Sequence, residues 1–517
     1  MLHSIYSVSV FCVFLSFDVR RSSTSSNCEL ACASIAESIP HAFFLRDEGV
    51  NTLWDSKQSD VIPACRVEPS NPEEVSIILK ATIEEQCHFA IRGGGHSRIS
   101  GSSNAEKGIT VDLKTFNFIE IGKDKKTVRI GGGSVWGDVY RALEKERLMV
   151  VGGRVSDVGV GGLTLGGGIS FFSNKRGWAC DSVTAFEVVL PNTSVQIVTK
   201  DSNLDVYWAL RGGGNSFGVV TAFHMELFER KPEIWRGMRM YTFDKIPELL
   251  AAQHKFVTEV QAQDPDAVAF FPYGYHQPYD LLMSMPTMVH GTHNSNETWP
   301  AAFDDFKAIE GIPDSTSIVH KPLSDCTDDV ALMNPYGMRT IYQTITYKVS
   351  TEVDRKILEI YQEELQPIKS LEGAVPFIIF HPTPAGHTDP MKKNGGNPLG
   401  LAGLGPLMIM QTSWMWKNKA DDEAFYESNR SIFERATAVA REAGVLVPYI
   451  YQNYAWESQD VFAGYGKENQ ARLKKIQSQI DPDGVFAGGE GLSKGYFKVN
   501  MKGKHGNTKA QQTKDEL

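Results

Sequence analysis

The residues of this chain whose types and spacing could do chemistry gather in three glycine-rich loops. They read Arg92-Gly93-Gly94-Gly95-His96-Ser97, then Gly159-Val160-Gly161-Gly162-Leu163-Thr164-Leu165-Gly166-Gly167-Gly168, then Arg211-Gly212-Gly213-Gly214-Asn215-Ser216-Phe217-Gly218. Glycine is costly in ordered structure and persists where backbone takes positive φ or must approach something closely. Successive main-chain N–H groups in such turns form a concave nest for an anion such as phosphate. Three converging loops would therefore suit a long cofactor held along its length, pyrophosphate included. The common nucleotide motifs do not account for them. Thr164 stands where a G-x-G-x-x-G starting at Gly159 needs its last glycine, and no P-loop is present. A G-x-S-x-G elbow and an H-E-x-x-H zinc motif are also missing, so no metal ligand set is expected.

The loops must be positioned by the elements around them. Short apolar runs at 89–92, 108–113, 127–130, 185–190 and 218–223 read as strands. Pro72 with Glu73 and Glu74 opens a helix to Glu84, and 135–146 reads as a second. From about Trp235 to Gly444 glycine thins, and helical patterns occur at 247–261, 352–365 and 422–443. Strand-like runs lie between them at 267–271, 342–348, 376–380 and 407–416. A sheet with helices on one face would make a substrate-binding lobe. Near Tyr449 the texture reverts, with a strand-like run over 449–454 and a basic helix over 468–479.

The 517 residues suffice for two or three domains. A hydrophobic content of 42% with 22% charged residues is that of an ordinary globular chain, and a net charge of −10 argues against a nucleic-acid partner. No stretch is long enough to span a bilayer. The apolar run 5–15 followed by Ser22-Ser23-Thr24-Ser25-Ser26 resembles a secretory signal peptide, and the sequence ends in Lys514-Asp515-Glu516-Leu517. Together they predict the endoplasmic reticulum lumen, with secretion as the fallback. That compartment permits a disulfide among Cys28, Cys32, Cys65 and Cys87, with connectivity left open. It also permits glycosylation at sequons beginning at Asn192, Asn296 and Asn429.

With these segments in view, the chain resembles the berberine-bridge-enzyme-like FAD-linked oxidases of the vanillyl-alcohol-oxidase superfamily, in their fungal secondary-metabolism branch. The carriers are the loop from Arg92 to Ser97, Val158-Gly159-Val160-Gly161-Gly162 through Gly168, and Trp208 through Thr221. Tyr451-Gln452-Asn453-Tyr454 and the stretch from Tyr465 to Phe486 complete the match. The resemblance implies an α+β fold, with a two-lobed PCMH-type FAD domain and an inserted substrate domain of antiparallel sheet plus helices. The expected divisions are 1–26 signal peptide and processing region, 27–60 N-terminal segment, and 61–231 FAD domain. They continue with 232–445 substrate domain, 446–499 returning segment and 500–517 polar tail.

Residue by residue, the resemblance implies FAD bonded covalently through the ring of His96, a bond that would fix the isoalloxazine and raise its potential. Arg92, Gly93, Gly94, Gly95 and Ser97 would hold the cofactor from the first loop, and Val158, Gly159, Gly161, Gly162, Leu163, Gly166, Gly167 and Gly168 from the second. Gly218, Val219, Val220 and Asn453 would complete its site. Bicovalent members carry a cysteine where this chain has Val155, so a single link is expected, with Cys180 a buried packing residue. Val158 falls where the family places a small residue that admits oxygen, which favours O2 as electron acceptor.

The family's use of a tyrosine near Tyr-x-Asn-Tyr makes Tyr454, then Tyr451, the candidate base. A phenol with a pKa near 10 needs neighbouring cations to accept a proton near neutrality. Strand alternation would put Tyr451 and Asn453 on one face and Tyr454 on the other. His381, Trp414 and Trp416 are candidates for the pocket wall, with core burial the competing reading. The leading expectation is an oxidase removing a hydride from an alcohol- or amine-bearing carbon of a hydrophobic secondary metabolite. A carbohydrate oxidase and a flavin-binding protein without turnover are the alternatives. Substrate identity and oligomeric state are not legible.

Overall fold

A computed structural model describes residues 26–44, 53–295, 298–487, 491–494 and 498–499. The signal-peptide run, the 514–517 ending and Asn296 lie outside the described residues. Among the described residues no helix is long and apolar enough to cross a membrane.

Three sheets carry the architecture. The first orders Phe43–Phe44, Cys65–Val67, Ile109–Asp112 and Phe89–Arg92, with parallel pairing among the last three. Helix Pro72–Glu84 packs beside it, started by Pro72 and capped by Asn71, whose side chain accepts from the Glu74 N–H. The second sheet is antiparallel and runs Ile119–Ile121, Thr127–Gly131, Val219–Glu226, Val183–Val189 and Val195–Thr199. Helix Trp136–Glu144 adjoins this lobe and is shorter at both ends than the sequence suggests.

The third sheet is the large antiparallel one expected of an inserted lobe. Its main path is Ser317–Pro322, Glu233–Met238, Thr287–His290, Ala267–His276, Val375–Thr383, Leu407–Trp416, Arg339–Lys348 and Leu446–Val447. Side chains alternate across it. Phe271, Tyr273, Ile378, Phe380, Met410, Trp414 and Trp416 face a helical layer that includes Thr351–Glu364 and Asp422–Glu442. Phe270, Pro272, Phe377, Ile379, His381, Gln411, Ser413 and Met415 face the other way, into a cavity shared with the glycine loops. The α+β architecture with a large antiparallel sheet backed by helices is thus present as expected.

The cysteines that the sequence left unpaired form Cys28–Cys87 and Cys32–Cys65, stapling helix Asn27–Ser38 to the first sheet's layer. Cys180 is free and buried, as expected. Asn429 is fully buried and its amide donates to Thr412 Oγ1 at 2.8 Å, so its sequon has no room for a glycan. Asn192 is exposed.

The 449–454 run is not a strand. Chain at Tyr451 enters a single tight turn, Gln452–Tyr454, with the Tyr454 N–H bonded to the Tyr451 carbonyl. The alternation expected of the two tyrosines fails with it: their rings meet edge-on, centroids 4.7 Å apart.

Candidate active site

The first two glycine loops are pressed back to back. A Cβ on Gly94 would sit 2.5 Å from the Gly159 backbone nitrogen, and one on Gly159 would sit 2.4 Å from that of Gly94. The Gly132 carbonyl lies 3.1 Å from a Cβ position on Gly93 and 3.0 Å from one on Gly161. Only glycine permits this approach, because what blocks a side chain is backbone that cannot swing away. Gly162 differs: a Cβ there meets nothing within 4 Å, so its backbone faces open space. Gly214, Asn215 and Gly218 of the third loop close the same cavity, which measures about 760 Å³. Gly94→Ala is therefore expected to part the loops at an overpacking cost of about 1–3 kcal/mol and to yield protein with little bound flavin. The ratio of visible to protein absorbance checks this, and a fully loaded variant would show that the loops do not form the cradle.

His96 stands on the cradle wall. Its ring stacks on buried Trp54 at 4.0 Å with 13° between planes, and Nε2 is buried without a hydrogen-bond partner. Asp157 Oδ1 is 3.6 Å from Nε2, too long for a hydrogen bond. Burial pulls the imidazole down to about 3 and pushes the Asp157 carboxyl up. Both shifts favour neutral forms, so the contact is a close approach of the two groups rather than an ion pair. A neutral imidazole keeps a lone pair available for bonding. A cradle only glycines allow, open space over Gly162 and a buried neutral histidine in its wall together fit FAD.

Where the cavity meets the large sheet, a polar cluster crosses it. Arg154 Nη2 donates to Tyr454 Oη at 2.5 Å and to His381 Nδ1 at 3.3 Å, and its guanidinium lies 5.0 Å from the centre of the Phe270 ring. His381 Nε2 is 2.8 Å from Gln411 Oε1, which can only accept, so the proton sits on Nε2 and Nδ1 accepts from Arg154. Burial, with Arg154 adding to it, holds His381 well below its ordinary value and hence neutral. Arg98 ties the histidine loop to the tyrosine turn by donating to the carbonyls of Asn453 and Ala455, and it lies 4.8 Å over the Tyr342 ring. Tyr451 is the fixed member of the pair. Its hydroxyl accepts from the Ile169 N–H at 3.1 Å and from Asn453 Nδ2 at 3.0 Å, and burial pushes its pKa up.

Most of the residues expected at the site do line this cavity. Gly93, Gly94, Gly95, His96, Ser97, Val158, Gly159, Gly161, Gly162, Leu163, Gly218, Val220, Tyr451, Asn453 and Tyr454 are in its wall, as is Val155. Five others are not. Arg92 pairs with Asp112 at 3.2 Å beneath the first loop, and Val219 is buried behind it in the second sheet. Gly166 is backed by the Asn453 side chain, Gly167 by the Trp178 ring, and Gly168 by Leu163 and Ala179, so these three serve packing. Of the three pocket candidates, His381 lines the cavity. Trp414 and Trp416 belong to the opposite face of the sheet, where Trp416 stacks on Phe425 at 4.5 Å. Sequence reasoning missed Arg154, Arg98, Asp157 and Trp54. The available signal for Arg98 and Asp157 was their position, directly flanking the first two loops.

Comparison with known proteins agrees with this geometry. Residues 63–199 match the FAD binding domain family. The FAD-dependent monooxygenase tpcD of Cochliobolus heterostrophus is 35% identical over 471 residues, covering 87% of each chain. The FAD-dependent monooxygenase sdcF of Emericella nidulans is 33% identical over 484 residues, 91% of this chain and 98% of the relative. Among solved structures, a berberine bridge enzyme variant in complex with (S)-reticuline superposes with a TM-score of 0.72 over 90% of this chain and 99% of that one, at 15% identity. The chain belongs to the family of FAD-linked oxidoreductases that includes these fungal FAD-dependent monooxygenases, and it has the fold of berberine bridge enzyme.

Proposed function

We propose that the protein is an oxidase that takes a hydride from an alcohol- or amine-bearing carbon of a hydrophobic secondary metabolite, with FAD held by one covalent bond at His96 and O2 as the final acceptor. FAD supplies the two-electron acceptor. The observation that carries the reading is the Arg154–Tyr454–His381 cluster, set where the apolar face of the large sheet meets the glycine cradle. Arg154 can only donate, so Tyr454 Oη accepts from it on one side and, once its own proton has passed to solvent, can take the proton of a substrate hydroxyl on the other. Charge that builds on that oxygen is matched by the guanidinium beside it. The neutral His381, locked by Gln411, keeps the arginine aimed. Tyr451 and Asn453 brace the turn from behind, and the methionine and aromatic side chains of the sheet keep water from the reacting carbon. Val158 supports O2 as acceptor, being a modest side chain in the cavity wall.

The test is anaerobic incubation of the holoenzyme with metabolite fractions while the flavin band is followed; bleaching identifies substrates, and its failure with every fraction sinks the reading. The relatives' names favour a second reading, a monooxygenase. Turnover under 18O2 separates the two. An oxidase leaves the product unlabelled and puts the isotope in peroxide, whereas labelled product would establish the monooxygenase.

The two disulfides support passage through an oxidising lumen, where the 514–517 ending would retain the protein. Deleting those residues should send it to the medium, and identical distribution of both forms would remove that role.

A further inference from the structure

Arg154 has no carboxylate partner among the described residues. Its hydrogen bonds go to the Tyr454 hydroxyl oxygen and to a ring nitrogen of His381, neither of them a carboxylate, and its flat side faces Phe270. A guanidinium is always charged, and a charge beside apolar surface with no counter-ion is costly unless something else supplies one. Among the described residues the rest of the cavity wall contains no aspartate or glutamate. The other wall arginine, Arg98, is spent on the carbonyls of Asn453 and Ala455 and on the Tyr342 ring. Nor does Arg154 point back into the glycine cradle. Its Nη2 ends between Tyr454 and His381 on the side of the large sheet, where a substrate rather than a cofactor would lie.

The surfaces that flank this charge are of one kind. Met240, Met283, Met285, Met333 and Met415 enter the wall from four segments and are joined by Phe270 and Phe377. Methionine is unbranched and polarisable, and its sulfur makes favourable contacts with aromatic rings, so such a sleeve adapts to a flat conjugated body. Two of the wall's amides are already used: Gln411 serves His381, and the Asn334 amide donates to the Val330 carbonyl. A cationic amine entering this sleeve would meet an unneutralised positive charge.

We infer that the substrate presents an oxyanion, or an acidic hydroxyl that becomes one, conjugated to a flat apolar ring system, and that Arg154 is the residue that anchors it. Phenolates, enolates and aryl carboxylates share this chemistry. The inference rests on the reading of this cavity as the substrate site and narrows it: oxygen acids are accepted, while amines are refused.

Three probes with one ring and different head groups test it: 2-naphthoate, 2-naphthalenemethanol and 2-naphthylmethylammonium, with 6-cyano-2-naphthol as the phenol arm. Each is titrated into the flavin-loaded protein, and binding is read from the perturbed flavin band, with no turnover required. The acid and the phenol should bind roughly tenfold or more tightly than the ammonium, the scale of one charge-assisted hydrogen bond. Arg154→Met should erase that preference, and Arg154→Lys should retain most of it. If the ammonium binds as tightly as the acid, or the acid does not bind at all, the anchor is wrong. Persistence of the preference in a flavin-loaded Arg154→Met protein would also overturn it. Tighter binding of 2-naphthoate than of the cyanonaphthol at neutral pH would assign the oxyanion to a carboxylate, and the reverse to a phenol or enol. The two readings fail separately: anion preference without reduction by any metabolite sinks the oxidase alone, and reduction with indifferent binding sinks the anchor alone.

Discussion

Tyr454→Phe is expected to leave the protein folded and yellow while slowing its anaerobic reduction by substrate ~10²–10⁴-fold, the usual loss when a positioned base is removed. The ring stays in its T-shaped and tilted contacts with Tyr342, Tyr451 and His381, so packing changes little. What disappears is the one oxygen that both accepts from Arg154 and faces the cavity. Reoxidation by O2 should keep its rate, because the phenol has no part in it. Tyr451→Phe is the contrasting variant. Its hydroxyl is the acceptor for the Ile169 N–H and for Asn453, so its loss leaves a buried donor unpaired at about 1–3 kcal/mol and should show first in thermal stability. Stopped-flow reduction distinguishes them. If both variants reduce at the wild-type rate, the base is elsewhere, and His381 becomes the next residue to replace.

How much of this site could be read in advance depended on whether the governing interaction was local. The glycine loops were legible because positive φ and close backbone approach leave a residue signature, as at Gly95 and at the Gly94–Gly159 contact. Strands were legible by alternation, but alternation alone does not say which face is which. Trp414 and Trp416 therefore stood as pocket candidates until the helix carrying Phe425 claimed their side of the sheet. The run 449–454 has the composition of a strand, yet Arg98 holds the carbonyls of Asn453 and Ala455 that a ladder would have used. That clasp spans more than 350 residues and has no local trace. Arg154 is the plainest case. A lone arginine after a glycine pair reads as solvated, and only its bond to a tyrosine 300 residues away reveals its place.

His96→Ala should abolish covalent flavin completely. Acid-precipitated, washed wild-type protein is expected to stay yellow and the variant pellet to be colourless, although the glycine cradle can still hold flavin without a bond before denaturation. The expectation follows from the state of the imidazole. Burial keeps it neutral down to about pH 3, so its nitrogen is free to bond throughout the range in which the protein folds and loads. Trp54 against one face and Asp157 beside Nε2 restrict the ring to a narrow set of orientations. Among the described residues a second bond has no candidate. Val155 lines the wall where the resemblance would place a cysteine, and neither Cys180 nor Cys326 reaches that wall. Burial also pushes the thiols of Cys180 and Cys326 up, away from the reactive thiolate. Peptide mass spectrometry should accordingly find flavin on the His96 peptide alone. A colourless wild-type pellet would end the covalent assignment, and flavin bridging two peptides would mean that a cysteine outside this wall moves to meet it.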